Sequence, residues 1–305
     1  MDLDQLRYFC HVAKLRSFTV ASQRLNVAQS ALSRQVKALE QELGVQLLNR
    51  STHSVVPTEA GLRLLEMSDY LLRYADQIPD TIRETAAEPA GSVALGLLPA
   101  VAYIVTPPML MRLRKDMPRV SVTVSEGLGI FLRERLLLGQ VDLAVMTAGR
   151  LVKGLTETAV IDEEMVLTGS PRLLERFSEP IKLGKLADVP MLTTQGFKDV
   201  ILKTARPAGI SLRFDMEQNS LLALKVMLEQ GVGVSMLPYT VVHDEWLSGR
   251  LAIRRVREPQ VMRQLAIVKP EYRPISRAFA AVEGILIDEL RRMPVSPDAV
   301  VADRA

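Results

Sequence analysis

The 305-residue chain has one cysteine, Cys10, and three histidines. A single thiol rules out an internal disulfide framework and fits a reducing compartment. His11, His53 and His243 lie far apart without ligand spacing, so no metal site is expected. No apolar run nears the roughly 20 residues of a membrane span. The start, MDLDQLRYF, lacks the basic end and apolar run of a signal peptide. A cytoplasmic chain without membrane contact is therefore expected. Gly231-Val232-Gly233 lacks the remainder of a dinucleotide fingerprint and reads as a loop entering a buried strand. No cofactor is expected. No nucleophile stands with a base in sequence context, so the chain does not read as an enzyme.

The apolar content is that of a globular protein, 48% hydrophobic against 24% charged residues. The length suits two domains. The formal net charge of +3 is unevenly placed: residues 1–58 hold seven Lys/Arg and four Asp/Glu, while the other 247 hold 31 of each sign. The whole excess therefore lies where a polyanion could be met.

Within that segment, Leu3, Leu6, Phe9, Cys10 and Ala13 recur at helical spacing over 3–16. Ser17 offers an N-cap for a short helix, Phe18 to Leu25, and Asn26 suits a tight turn. A third helix is expected from Gln29 to Leu43, stopped by Gly44. Leu32, Val36, Leu39 and Leu43 form its apolar stripe, with Gln29, Ser30, Ser33, Arg34 and Lys37 opposite. Val45–Leu48, a polar tip from Arg50 to Ser54, and Val55-Val56-Pro57 read as a β-hairpin. Thr58 can cap a long helix whose seam would be Leu62, Leu65, Leu72 and Ala75, and a second copy of the chain is the simplest partner for it. Pro79 is expected to kink or end that helix. Glu88-Pro89-Ala90-Gly91 reads as a linker.

From Ser92 onward, strand and helix patterns alternate, implying parallel sheets. Strands are expected at Val93–Leu97, Val120–Val124, Leu143–Met146, Met165–Thr168, Leu212–Met216, Val232–Leu237 and Gln264–Val268. Helices are expected near Met109–Lys115, Phe131–Leu138, Asp199–Arg206, Leu221–Glu229 and Ser276–Met293. Two such series suggest two lobes with a ligand cleft between them. Trp246, Met109, Met111, Met227 and Met236 are expected to pack.

A helix-turn-helix sets its second helix where it can enter a major groove. Arg34 can bond twice to guanine, Gln29 to adenine, and Ser33 to either. Lys37 and Arg50 suit phosphate. A polar helix face alone is ordinarily just solvated. The turn, the hairpin and the local charge excess together favour a DNA-reading face.

The run SFTVASQRLNVAQSALSRQVKALEQELGVQLLNR followed by VVPTEAG resembles the N-terminal signature of LysR-type transcription regulators. LLPA, EGLG, LLLGQVDLAV and LLALKVMLEQGVGVSMLP resemble blocks of the same family's effector domain more loosely. The resemblance implies an α/β architecture: an N-terminal winged helix-turn-helix (1–58), a long linker helix and hinge (59–90), then a two-lobed, periplasmic-binding-protein-like effector domain (91–295). The lobes would span 91–161 with 269–293, and 162–268, leaving a flexible tail at 296–305. It implies a homodimer or homotetramer on double-stranded DNA, altering its bending when a small-molecule effector binds, with RNA polymerase as a further partner. Family base contacts map to Gln29, Ser30, Ser33 and Arg34, with Arg50 and the wing residue His53 near the backbone or minor groove.

Two departures affect the reading helix. Ala28 stands where the family usually has Ser or Thr, and Ser30 where it commonly has Pro. By resemblance the effector cleft is lined by Leu98, Pro99, Ala100, Gly127, Leu128, Gly129, Thr147, Thr194, Gln195, Phe197 and the turn near Val232-Gly233. Family members often carry hydroxyl residues at the Ala100 and Gly129 positions, where they hold a carboxylate. Their loss implies a less polar effector, or an anion held mainly by backbone N–H groups and Thr194/Gln195. Simple turn geometry accounts for the glycines equally well. The rival readings are an architectural DNA binder with its cleft filled by its own side chains, and an enzyme carrying a DNA-binding regulatory module.

Overall fold

The computed structural model describes residues 1–50, 55–83, 89–149, 152–271 and 276–298, with Arg50 and several late linker-helix residues described by backbone alone. His53 lies outside the described residues.

Helix α1 (Leu3–Leu15) opens with a capping box: Asp2 accepts from the Gln5 N–H while the Gln5 side chain accepts from the Asp2 N–H. Helix α2 (Phe18–Leu25) is capped by Ser17 and closed by Asn26 in the left-handed conformation. Helix α3 (Gln29–Leu43) ends at Gly44, φ 68°. Strands β1 (Leu48–Arg50) and β2 (Val55–Pro57) pair antiparallel as the wing. Thr58 then caps α4 (Glu59–Arg83), its Oγ1 accepting from the Gly61 N–H at 3.0 Å. Leu6, Phe9, Val12, Leu32, Val36 and Leu39 close one core beneath the wing. Leu43, expected in the buried stripe, is exposed, because it ends α3 beyond the reach of that core.

Two expectations for α4 change. The helix runs past Pro79 to Arg83; a single lost donor bends a helix without having to end it. Of the expected seam, Leu65 and Leu72 pack inward with the N-terminal core, and Leu62 is exposed. Leu64 packs against the N-terminal core as well, and the outward stripe is Met67, Leu71, Tyr74 and Ile78, stepping by four and three residues; Met67, Leu71 and Ile78 are exposed. The helix is apolar on two faces, and α1 covers one of them.

The second part begins with β3 (Gly91–Leu97), α5 (Pro99–Asp116), β4 (Val120–Glu126), α6 (Gly129–Leu137) and β5 (Leu143–Thr147). A 15-residue strand, β6 (Leu155–Gly169), leads away from them. There follow α7 (Pro171–Leu174), β7 (Ile181–Lys182), a 3-10 turn (Leu183–Leu186), β8 (Met191–Thr193), α8 (Gln195–Ala205) and β9 (Phe214–Glu217). Then come α9 (Leu221–Glu229), β10 (Val234–Pro238), α10 (Tyr239–Leu247) and β11 (Ala252–Arg257), before β12 (Met262–Pro270) returns and α11 (Arg277–Arg291) closes the first lobe.

The sheet is mixed, not wholly parallel. Strands β3 with β4 and β5, β8 with β9 and β10, and β7 with β11 run parallel. Strands β6 and β12 run antiparallel to their neighbours because they carry the chain between lobes. The order is β4-β3-β5-β12-β6-β10-β8-β9, with β11 also on β6. Since Leu265–Val268 pair with β5, β12 belongs with the first lobe and not with the 162–268 segment. Each lobe has its own apolar core.

Helix α5 begins ten residues before the expected Met109 and passes Pro107-Pro108. The prolines leave the Tyr103 and Ile104 carbonyls without helical donors. Its inner face, Val101, Val105, Met109 and Leu113, nonetheless stays continuous on the core. Met111, expected to pack, is 73% exposed, whereas Met109 and Met236 are buried and Trp246 packs edge-on to Tyr239. The start of the tail expected to be flexible, residues 296–298, is docked: just before it the Glu164 N–H donates to the Val295 carbonyl at 2.9 Å, and Arg255 pairs with Asp298 at 2.6 Å. Among the described residues, no helix is long and apolar enough to cross a membrane.

Candidate DNA-reading helix and interlobe cleft

Helix α3 lies across α1 and α2 with Leu32, Val36 and Leu39 inward. Gln29, Ser30, Arg34 and Lys37 are exposed, and Ser33 is half-buried among them. Both carboxylates of the helix lie in its C-terminal half and are engaged. Glu40 accepts the Leu47 and Leu48 N–H groups at 2.9 and 3.1 Å, fixing the wing to the helix, and Glu42 takes the Met1 ammonium. The N-terminal half therefore presents amide, hydroxyl and cationic groups with no acid of its own helix beside them. Ala28 occupies the N-cap with no side-chain bond, so the first-turn N–H groups lack a hydroxyl acceptor. Arg50 stands at the end of β1, and its side chain, like His53, lies outside what is described.

Between the lobes lies a cavity of about 60 Å³. Of the expected lining, Leu98, Pro99, Ala100, Leu128, Thr147, Thr194 and Phe197 meet there. Gly127 instead borders a separate groove beside Phe131, its N–H donating to the Leu97 carbonyl as part of the turn into α6. Gly129 is the first residue of α6, with Arg133 beside it. The exposed Gln195 side chain bonds Asp199 at 3.3 Å, and Val232 is exposed outside the lining. The glycines thus serve the turn.

The lining also contains Gly196, Asn219, Leu221 and Arg263, none of them expected. Arg263 is 2% exposed. Its Nε donates to Glu163, the cross-strand partner on β6, which also accepts the Thr240 hydroxyl. Its guanidinium sits 5.4 Å from the Phe197 ring centre. A lone arginine in a strand carries no sequence signal for such a place; its facing Glu163 would have been the only hint.

The N-terminal ends of α5, α6, α8 and α9 all border this cavity, through Leu98 to Ala100, Leu128, Thr194 with Gly196 and Phe197, and Asn219 with Leu221. Each contributes partial positive charge; α5 and α6 have no side-chain cap, whereas Thr194 caps α8 by accepting the Phe197 N–H and Ser220 caps α9 by accepting the Ala223 N–H. A larger open groove of about 620 Å³ adjoins it past Pro99 and Leu221, against Tyr103, Val226 and Arg250. There Lys225 pairs with Glu245 at 2.6 Å and lies 5.4 Å from the Tyr103 ring centre. The expected cleft is the smaller of the two.

Residues 3–62 match the family described as bacterial regulatory helix-turn-helix protein, lysR family, and residues 86–291 match the LysR substrate binding domain. The chain is 27% identical over 296 residues to the nitrogen assimilation regulatory protein nac of Klebsiella aerogenes, covering 96% of each. It is 29% identical over 299 residues to a probable hydrogen peroxide-inducible genes activator of Streptomyces viridosporus, again covering 96% of each. Full-length CbnR, solved with its target DNA, superposes with a TM-score of 0.70 at 24% identity, over 96% of this chain and 99% of that one. The N-terminal helix-turn-helix and the two-lobed domain behind it place this chain in the LysR family of transcription regulators.

Proposed function

We propose that this regulator reads operator DNA through Gln29, Ser30, Ser33 and Arg34, with Lys37, Arg50 and the wing residue His53 on phosphate or minor groove. A small molecule bound between the lobes controls it. The observation that carries this reading is the exposed, acid-free half of α3. The protein acts as a homodimer or homotetramer in the cytoplasm, passes its signal to RNA polymerase and performs no catalysis. The outward stripe of α4 supports one self-association face. Exposed Tyr103 and Met111 on α5, with Leu222 and Val226 on α9, support a second. The relatives' names point to different signals, nitrogen supply and peroxide, and single out no one effector. The sole thiol, Cys10, is buried in α1, and the effector domain has none.

The test is a footprint on DNA flanking the protein's own gene, with random DNA as competitor. Wild type protects several helical turns. Arg34→Ala loses specific binding by about 1–3 kcal/mol while staying folded. Unchanged discrimination between operator and random DNA would remove Arg34 from base reading. A second reading, an architectural binder without effector, draws on the small volume of the cleft cavity. It requires protection that random DNA abolishes equally.

A further inference from the structure

Among the described residues, Arg263 is the only ionisable one lining the interlobe cavity. Its counter-ion, Glu163, stands behind it on the neighbouring strand and not in the lining. An anion entering the cleft therefore meets the guanidinium and four helix N-termini, and no carboxylate. The guanidinium is also incompletely used. Nη2 is buried against the same Glu163 oxygen but donates a hydrogen bond to nothing, although a buried donor normally finds an acceptor.

Thr147 and Thr194 border the same space from opposite lobes. Phe197 backs the guanidinium with its ring, which favours a flat group set against a flat fork. At about 60 Å³ the cavity has the size of a head group and not of a whole large ligand.

We propose that the effector carries a carboxylate and that Arg263 receives it, with Thr147 and Thr194 as hydroxyl partners. This rests on the reading of the cleft as the effector site and names the ligand class that reading leaves open. It also assigns a route outward. Arg263 and Glu163 face each other on β12 and β6, the two strands that join the lobes, and Glu163 holds Thr240 at the start of α10. A carboxylate that takes up the spare donor loosens Arg263 from Glu163. The change is then felt at the strands about which the lobes would turn.

The experiment uses the full chain and three probes at matched ionic strength: acetate, acetamide and inorganic phosphate. Binding is read by thermal midpoint and by the fluorescence of Trp246. That ring packs on Tyr239, the neighbour of Thr240. Acetate is expected to act saturably and at least about tenfold more tightly than acetamide, the value of one charged hydrogen bond. Arg263→Gln with Glu163→Gln, a neutral pair of similar shape, should abolish the preference. Arg263→Lys, which keeps the charge and loses the fork, should weaken acetate. The comparison of acid with amide stands on wild type alone, should the double variant fail to fold.

Equal action of acetate and acetamide, or no action of acetate, would overturn the inference. Tighter phosphate would overturn the carboxylate assignment, and an undiminished acetate preference in the double variant would remove Arg263. None of these results touches the footprint. If a neutral compound shifted that footprint, the effector reading would survive the loss of this one.

Discussion

Gly61 lies so close to Leu47 that a Cβ on Gly61 would stand 2.0 Å from the Leu47 carbonyl oxygen. That oxygen already accepts the Thr58 N–H at 2.9 Å, and the Thr58 hydroxyl donates to the Gln46 carbonyl at 2.7 Å. The first turn of α4 is thus welded to the segment leading into the wing, and the bare Cα is what permits the approach.

Gly61→Ala must therefore push the wing from the linker helix, since backbone cannot swing aside as a flexible side chain can. The expected outcome is loss of operator affinity and faster hydrogen exchange at Leu47 and Leu48, with the effector domain unaffected. Native exchange at both amides in the variant would show that the joint tolerates the methyl group.

Ala28→Ser should supply the acceptor that the first turn of α3 lacks. Helix caps of this kind contribute about 0.5–2 kcal/mol. Slower hydrogen exchange at Ser30 and Ala31 is the expected result. Unchanged rates would mean that the turn is already held, for instance by the Leu32 N–H donating to the Ala28 carbonyl at 3.0 Å.

The two faces of α4 should respond differently to charge. Met67→Lys or Leu71→Lys adds a cation to the outward stripe and should dissociate oligomers while each chain stays folded, as sedimentation would show. Leu72→Lys buries a cation in the N-terminal core and should unfold that domain. An intact oligomer in both outward variants would place self-association elsewhere.

Arg255 holds the Asp298 carboxyl below its ordinary value of 3.8, chiefly by direct hydrogen bonding. A group whose folded value is depressed stabilises above the unfolded value and loses that contribution as pH falls through the folded one. The docked end should therefore stay protected from carboxypeptidase through neutral and mildly acid conditions, and come loose only below the ordinary aspartate range. Asp298 is 70% exposed, so salt should weaken the tie as well. Asp298→Asn should free the end at every pH; protection unchanged in that variant would assign the docking to the Val295 carbonyl alone.

The N-terminal helices were legible almost to the residue, because caps and stops are written locally: Ser17, Asn26, Thr58 and Gly44 each act on their nearest neighbours. The cleft was half legible. Leu98, Thr147 and Thr194 sit at ends of regular elements, where position in the chain foretells position in the lobe. Arg263 was hidden because its role depends on a strand about 100 residues away. The same blindness concealed the first half of β6. Asp162-Glu163-Glu164 has no apolar alternation to mark a strand, and what holds the two glutamates there is Arg263, Arg255 and Arg257, brought against them from distant strands. The seam of α4 misled because two apolar faces compete, and nothing within the helix says which one α1 will take.

The chain leaves the first lobe at Glu164 and re-enters it at Met262, and those two residues are paired across neighbouring strands. Everything between them departs and returns through a single doorway. The second lobe is thus an insert whose ends are already side by side. It could be exchanged for another of the same kind without rerouting the remainder of the chain, giving a simple means for one DNA-reading module to acquire new chemical tastes.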